Sequence, residues 1–269
     1  MSLQRRLAKF IRNRIRHYHP LTREIDSRIE RSWVISRAAV SNTHRYCYFR
    51  IPKCANSTIA RTLACYDPAI DWDDADSEGS RAKRTFLQLL DAQARSLDQL
   101  EERFFLFTFV RNPYTRLLSA YLDKIVSRIQ DPDYEFVRTA LGKKQKDNVS
   151  FPEFVSYLHS GGLYANPHWA PLVCMVGVKP IRLQFVGKVE TIDADLNTIV
   201  TRIFGESVHA QTQTRTHGRR GANDQLQQYY TPELAASVYQ LYRDDFATFG
   251  YPASLDGSLD GPLSGTLNA

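Results

Sequence analysis

The chain has 269 residues, 43 % of them apolar and 12 % aromatic, with a net charge of +6. That is enough apolar side chain for a substantial core, and no run of about eighteen apolar residues is available to span a bilayer as a helix. With no glycine- or serine-rich linker in the middle and no apolar leader-like stretch near residue 1, one main domain and a cytoplasmic location are expected.

The charge is concentrated at one end. Residues 1–20 hold Arg5, Arg6, Lys9, Arg12, Arg14 and Arg16 and no acid, while the rest of the chain carries as many bases as acids. Leu3, Leu7, Phe10, Ile11, Ile15 and Tyr18 make an apolar helical stripe through this segment. It reads either as a helix lying on an anionic membrane face or as an ordinary helix packed on the body. A basic arm alone has little specificity for nucleic acid, so no such partner is expected. Cys47, Cys54, Cys65 and Cys174 form no CxxC pair and stand at no zinc-finger spacing, so they read as reduced, and no metal is expected. The acidic run Asp71, Asp73, Asp74, Asp76 and Glu78 lacks EF-hand spacing and reads as a solvated loop.

Along the chain, residues 1–19 read as a helix stopped by Pro20, and 21–37 as a second helix. Residues 46–51 form a strand, apolar on both faces, and a helix follows over 56–65. A polar loop covers 66–80. The spacing of Phe86, Leu89, Leu90, Leu97 and Leu100 predicts a helix over 84–102. Residues 104–110 form the second strand. Asn112 then suits a helix N-cap and Pro113 the first turn, with the helix running through Leu117, Leu118, Tyr121 and Ile125. A charged loop is expected over 142–150. A short helix over 151–160 ends at Gly161-Gly162. A third strand falls at 183–187, a helix at 192–204, a polar loop at 207–226 and a helix at 231–247 capped by Thr231. The tail beyond Pro252 is rich in Gly, Ser and Asp. The organisation expected is a basic segment over 1–40, one domain over 41–252 and a tail over 253–269. Strands alternating with helices predict an α/β fold with a central parallel sheet flanked by helices, its ligand beyond the carboxyl ends of the strands.

Two turns fall at that edge. The first runs strand, Pro52, Lys53, three residues, Ser57, Thr58, helix. A helix start leaves backbone N–H groups free for an anion, and Lys53 adds a mobile charge. Cys54 follows that lysine; a lowered thiol pKa and simple packing are both open. No GxxxxGK[ST] loop is present, which counts against ATP or GTP hydrolysis. At the second turn Arg111 closes a strand and Ser119 lies two helical turns beyond Asn112, about 10 Å along the axis. A phosphate on that face would reach both. Taken alone, Ser119 reads as a small packing residue, and Arg116 either joins the site or pairs with a surface acid.

Together these segments resemble the sulfotransferases that use 3′-phosphoadenosine-5′-phosphosulfate (PAPS), and in particular the carbohydrate branch that includes the chondroitin and HNK-1 enzymes. The stretch Val110-Arg111-Asn112-Pro113-Tyr114-Thr115-Arg116-Leu117-Leu118-Ser119-Ala120-Tyr121 carries the likeness most strongly. Pro167-His168-Trp169-Ala170-Pro171, Phe185 to Thr191, and Tyr239 to Tyr251 agree with it. The resemblance implies a P-loop-NTPase-like sulfotransferase fold and transfer of a sulfuryl group to a hydroxyl of a carbohydrate or glycolipid, with PAPS as co-substrate. It places the 5′-phosphosulfate against Arg50, Pro52, Lys53, Cys54, Ala55, Asn56, Ser57 and Thr58, and the 3′-phosphate against Arg111 and Ser119. Arg219 and Arg220 would form a late basic loop closing over that phosphate, or a solvated charge pair. Lys53 would stabilise the leaving oxygen. His168 is the first candidate for the base, with a structural role beside Trp169 equally open; acids within 67–78 are the second. The alternatives are a kinase-like phosphoryl transferase and a non-catalytic nucleotide-binding protein.

Overall fold

A computed structural model describes residues 19–23, 25–71, 80–127, 132–144, 147–176, 182–207 and 225–255. The basic segment before residue 19, most of the acidic run, Arg219, Arg220 and the tail beyond residue 255 lie outside the described residues.

Four strands form one sheet in the order β1 (Ala38–Ser41), β2 (Tyr46–Phe49), β3 (Phe105–Val110) and β4 (Phe185–Lys188). The last three are parallel, as the alternation of strands and helices predicts. β1 is antiparallel to β2, so the sheet is mixed. Its alanines gave no strand signal, and Val40 is bonded on its other side to the Leu87 carbonyl. That bridge breaks the helix expected over 84–102. The segment divides into a helix at Ser80–Thr85, a short 3-10 turn at Leu89–Asp91 closed by a Gln88/Asp91 capping box, and a helix at Leu97–Arg103 capped by Ser96.

The helix expected over 21–37 is also divided. A single turn spans Pro20–Arg23 and α1 spans Arg31–Arg37. Between them the Asp26 carboxylate accepts from the Arg28 backbone N–H and from its guanidinium, a local turn that competes with helix.

Side chains alternate along the strands, and both faces are covered. Tyr46, Tyr48, Phe107 and Phe109 pack under α2 (Asn56–Tyr66) and a later helix, Ile192–Phe204, through Ile59, Leu63, Leu196 and Ile199. Tyr48 stacks on Phe107 with ring centroids 5.0 Å apart. Cys47, Phe49, Leu106 and Val110 face the other way, into the larger cluster built by the remaining helices. Gly187 pairs with Phe109 across the sheet, and a Cβ there would meet the Phe109 ring at 2.5 Å. The aromatic face therefore needs a glycine at that register position.

The helix after β3 runs as α-helix over Pro113–Tyr121 and then widens to a π turn over Leu122–Val126. A helix at Pro132–Ala140, unmarked in the sequence reading, follows. The helix at Phe151–His159 and its stop at Gly161, where φ is 106°, match expectation. The last helix divides at Tyr242 into Pro232–Leu241 and Arg243–Phe249. β2 and β3 run side by side, Phe49 opposite Thr108, so the Lys53 turn and the Arg111 turn leave the same edge of the sheet.

Candidate active site

The Lys53 turn is strained and open. Lys53 (φ 68°) and Ala55 (φ 54°) both take the left-handed conformation, unfavourable for residues bearing a Cβ. Turns of this handedness form anion-binding concavities. No side chain caps α2, so the N–H groups of its first turn are left for another partner. The Asn56 Oδ1 atom is buried without a hydrogen-bond partner. Lys83, from the helix at Ser80–Thr85, donates to the Ser57 hydroxyl at 2.6 Å. That second cation had no signal in the sequence, because 26 residues separate it from Ser57.

Lys53 Nζ pairs with Asp123 at 3.2 Å. Burial pushes its pKa down; Asp123 opposes this, while Arg111 and Lys124 add to it by repulsion. The Lys53 and Arg111 charges are therefore close enough to act on one another. Asp123 and Lys124 both come from the π turn, a distortion often found at functional sites.

The Arg111 turn is the opposite case, fully assembled. Arg111 is buried, its Nε donates to Thr115 at 3.0 Å, and burial lowers its pKa against the pull of Glu190. Asn112 caps the helix by accepting from the Tyr114 N–H at 2.9 Å. The Asn112 N–H donates to Glu190 at 2.8 Å, and the other Glu190 oxygen accepts from Tyr251 at 3.0 Å. Ser119 is half-buried, and its hydroxyl has no hydrogen-bond partner among the described residues.

Arg116 is neither at the surface nor paired with an acid. It is 1 % exposed and donates to three carbonyls: Pro52 at 3.2 Å, Pro167 at 3.2 Å and Ala170 at 2.8 Å. One guanidinium thus ties the lysine turn to the segment that carries His168. That segment is held further by Trp169 donating to the Gly162 carbonyl and Tyr242 donating to the Trp169 carbonyl. Asp245 accepts from the Leu172 and Val173 N–H groups at 2.7 and 2.9 Å, and burial raises its pKa to about 6.

His168 lies in the same electrostatic neighbourhood. Burial, then Lys124, Arg37 and Lys53, depress its pKa to about 3, against the pull of Asp123. Its ring is neutral at pH 7. Its Nδ1 is 2.7 Å from Asn166 Oδ1.

Two expected donor residues have other engagements. Arg50 spends its Nε on the Arg37 carbonyl (2.7 Å) and an Nη on the Ser36 carbonyl (3.1 Å), closing the end of α1. Cys54 is fully buried, and burial pushes its thiol up to about 11, so packing and not activation describes it. Of the acids considered as bases, Asp67 is buried and accepts from the Tyr46 hydroxyl at 3.1 Å, and Asp71 pairs with Arg81 at 3.4 Å. Among the described residues no group of three metal-ligating side chains occurs, and no helix is long and apolar enough to cross a membrane.

A model of the sulfotransferase family matches residues 36–252. The chain is 28 % identical over 241 residues to carbohydrate sulfotransferase 14 of Danio rerio, covering 84 % of this chain and 65 % of that protein. It is 28 % identical over 235 residues to the Homo sapiens protein of the same name, covering 83 % and 62 %. Carbohydrate sulfotransferase 11 of Rattus norvegicus is 23 % identical over 238 residues, covering 81 % and 67 %. The match to carbohydrate sulfotransferase 14 thus spans less than two thirds of that protein in either species. No solved structure matches the chain.

Proposed function

The chain belongs to the sulfotransferase family, and from that membership we propose that it transfers a sulfuryl group from PAPS to a hydroxyl of a carbohydrate or glycolipid. The observation that carries the proposal is the pairing of two strand-to-helix turns on one sheet edge, one bearing the half-buried Lys53 and the other the buried Arg111, whose charge bears on Lys53. One turn leaves a helix start uncapped; the other presents a preassembled arginine and an unpartnered serine hydroxyl.

In this reading the α2 amides, Ser57, Thr58 and Lys83 hold the 5′-phosphosulfate, and Arg111 with Ser119 holds the 3′-phosphate. The donor supplies an activated sulfuryl group. Lys53 neutralises charge gathering on the bridging oxygen as its bond to sulfur breaks. His168 Nε2 takes the proton of the acceptor hydroxyl as that oxygen bonds the sulfur, and adenosine 3′,5′-bisphosphate leaves. Burial contributes most to holding His168 neutral, with Lys124, Arg37 and Lys53 adding to it; bound anionic groups offset the Lys53 share, so the imidazolium becomes less costly in the loaded enzyme. Membrane contact through residues 1–19 belongs to the same proposal, supported by the arginine-rich apolar stripe.

Calorimetry tests the donor site. Adenosine 3′,5′-bisphosphate is expected to bind more tightly than ATP, and binding is expected to weaken at least about tenfold in Arg111→Ala. Preference for ATP would transfer the site to phosphoryl chemistry.

A further inference from the structure

We infer that Asn166 and Asp133 are positioning residues that keep the proton of the neutral His168 ring on Nδ1 and leave the Nε2 lone pair for the acceptor hydroxyl. This rests on the reading of His168 as the base.

The argument is one of hydrogen-bond supply. Asn166 is buried, and its two amide atoms face different demands. Its Nδ2 lies 2.7 Å from Asp133 Oδ1. An ionised carboxylate only accepts, so the amide must present its NH2 there. Its Oδ1 lies 2.9 Å from the His168 backbone nitrogen, which only donates. Both contacts select the same amide orientation. The third partner, His168 Nδ1 at 2.7 Å, then faces a carbonyl oxygen and must carry the proton.

Asp133 is itself fixed. Its second oxygen pairs with Lys124 Nζ at 3.0 Å, and Lys124 follows Asp123, the partner of Lys53, on the π turn. The path Lys124–Asp133–Asn166–His168 therefore joins the π turn, the helix at Pro132–Ala140 and the His168 segment. Burial acts most on the ring; Lys124, Arg37 and Lys53 add to it as cations, and Asp123 opposes them. A neutral ring has two tautomers, and among the described residues the Asn166 amide is the ring's hydrogen-bond partner that chooses between them.

Nitrogen-15 NMR of ring-labelled histidine, with the His168 signal assigned by its loss in His168→Ala, is expected to show Nδ1 protonated and Nε2 bare in the wild-type protein. In Asp133→Ala one of the two contacts that orient the amide is gone and only the His168 backbone N–H still selects its carbonyl, so a share of turned-over amide and Nε2-protonated ring is expected to appear. The same variant is expected to lose at least about tenfold in kcat with the KM for PAPS unchanged. Asp133→Asn can still accept from Asn166 and is expected to recover most of that loss. A wild-type ring protonated on Nε2 overturns the inference, as does an Asp133→Ala enzyme with wild-type kcat and tautomer. A His168→Ala enzyme with full turnover ends the base reading instead, and leaves the NMR result to judge the tautomer by itself.

Discussion

The two turns at the sheet edge share a plan and differ in how far they are finished. Each is a buried strand, a basic residue and a helix. At Arg111 the polar groups of the turn itself are engaged: the cap by Tyr114, the Asn112 N–H by Glu190, the guanidinium Nε by Thr115, with the Ser119 hydroxyl two turns on left over among the described residues. At Lys53 the helix has no cap, two residues are strained and an amide oxygen is orphaned. A finished turn grips a group that does not change during reaction. An unfinished one keeps its donors for a group whose charge grows in the transition state, where they count most. Under the proposed reaction, the difference suits one turn to anchoring and the other to chemistry.

That division can be broken by substitution. Lys53→Ala is expected to lower turnover by about 10²–10³-fold and to leave stability within about 1 kcal/mol of wild type, because its partner Asp123 keeps 28 % exposure to water. Transfer of labelled sulfate and urea denaturation measure the two; large losses in both would make Lys53 a structural residue. Arg116→Ala should do the reverse of a clean catalytic lesion. Three buried carbonyls lose their donor, so unfolding is expected to become easier by roughly 3 kcal/mol or more. Arg116→Lys should recover little, since an ammonium cannot span the same three acceptors. The smallest test compares helix starts. Asn112→Ala is expected to cost about 1 kcal/mol, while Ala55→Gly, which removes a Cβ from a left-handed position, should be neutral or stabilising by about 0.5 kcal/mol. Equal losses from both would erase the contrast.

The strand-to-helix turns were readable because their information is local. A strand, a proline, a basic residue and a hydroxyl stand within a dozen positions, and the helix over 192–204 was marked by its own spacing. What escaped was assembled from afar. Asp123, Lys124, Asp133 and Asn166 look like ordinary polar residues in sequence. They acquire roles only when the π turn aims two neighbours at partners 70 residues upstream and 9 residues downstream. Arg116 was misread for a related reason. An arginine in a helix is usually solvated, and nothing local says that three carbonyls converge on it. Strand β1 was hidden by alanine, and the break near residue 87 by a bridge to that same strand.

Arg116 has a consequence for how such a molecule can change. Its guanidinium is a spacer between the carbonyls of Pro52 and Pro167, the residues that immediately precede Lys53 and His168. The surrounding rim could be remodelled without disturbing the spacing of those two segments.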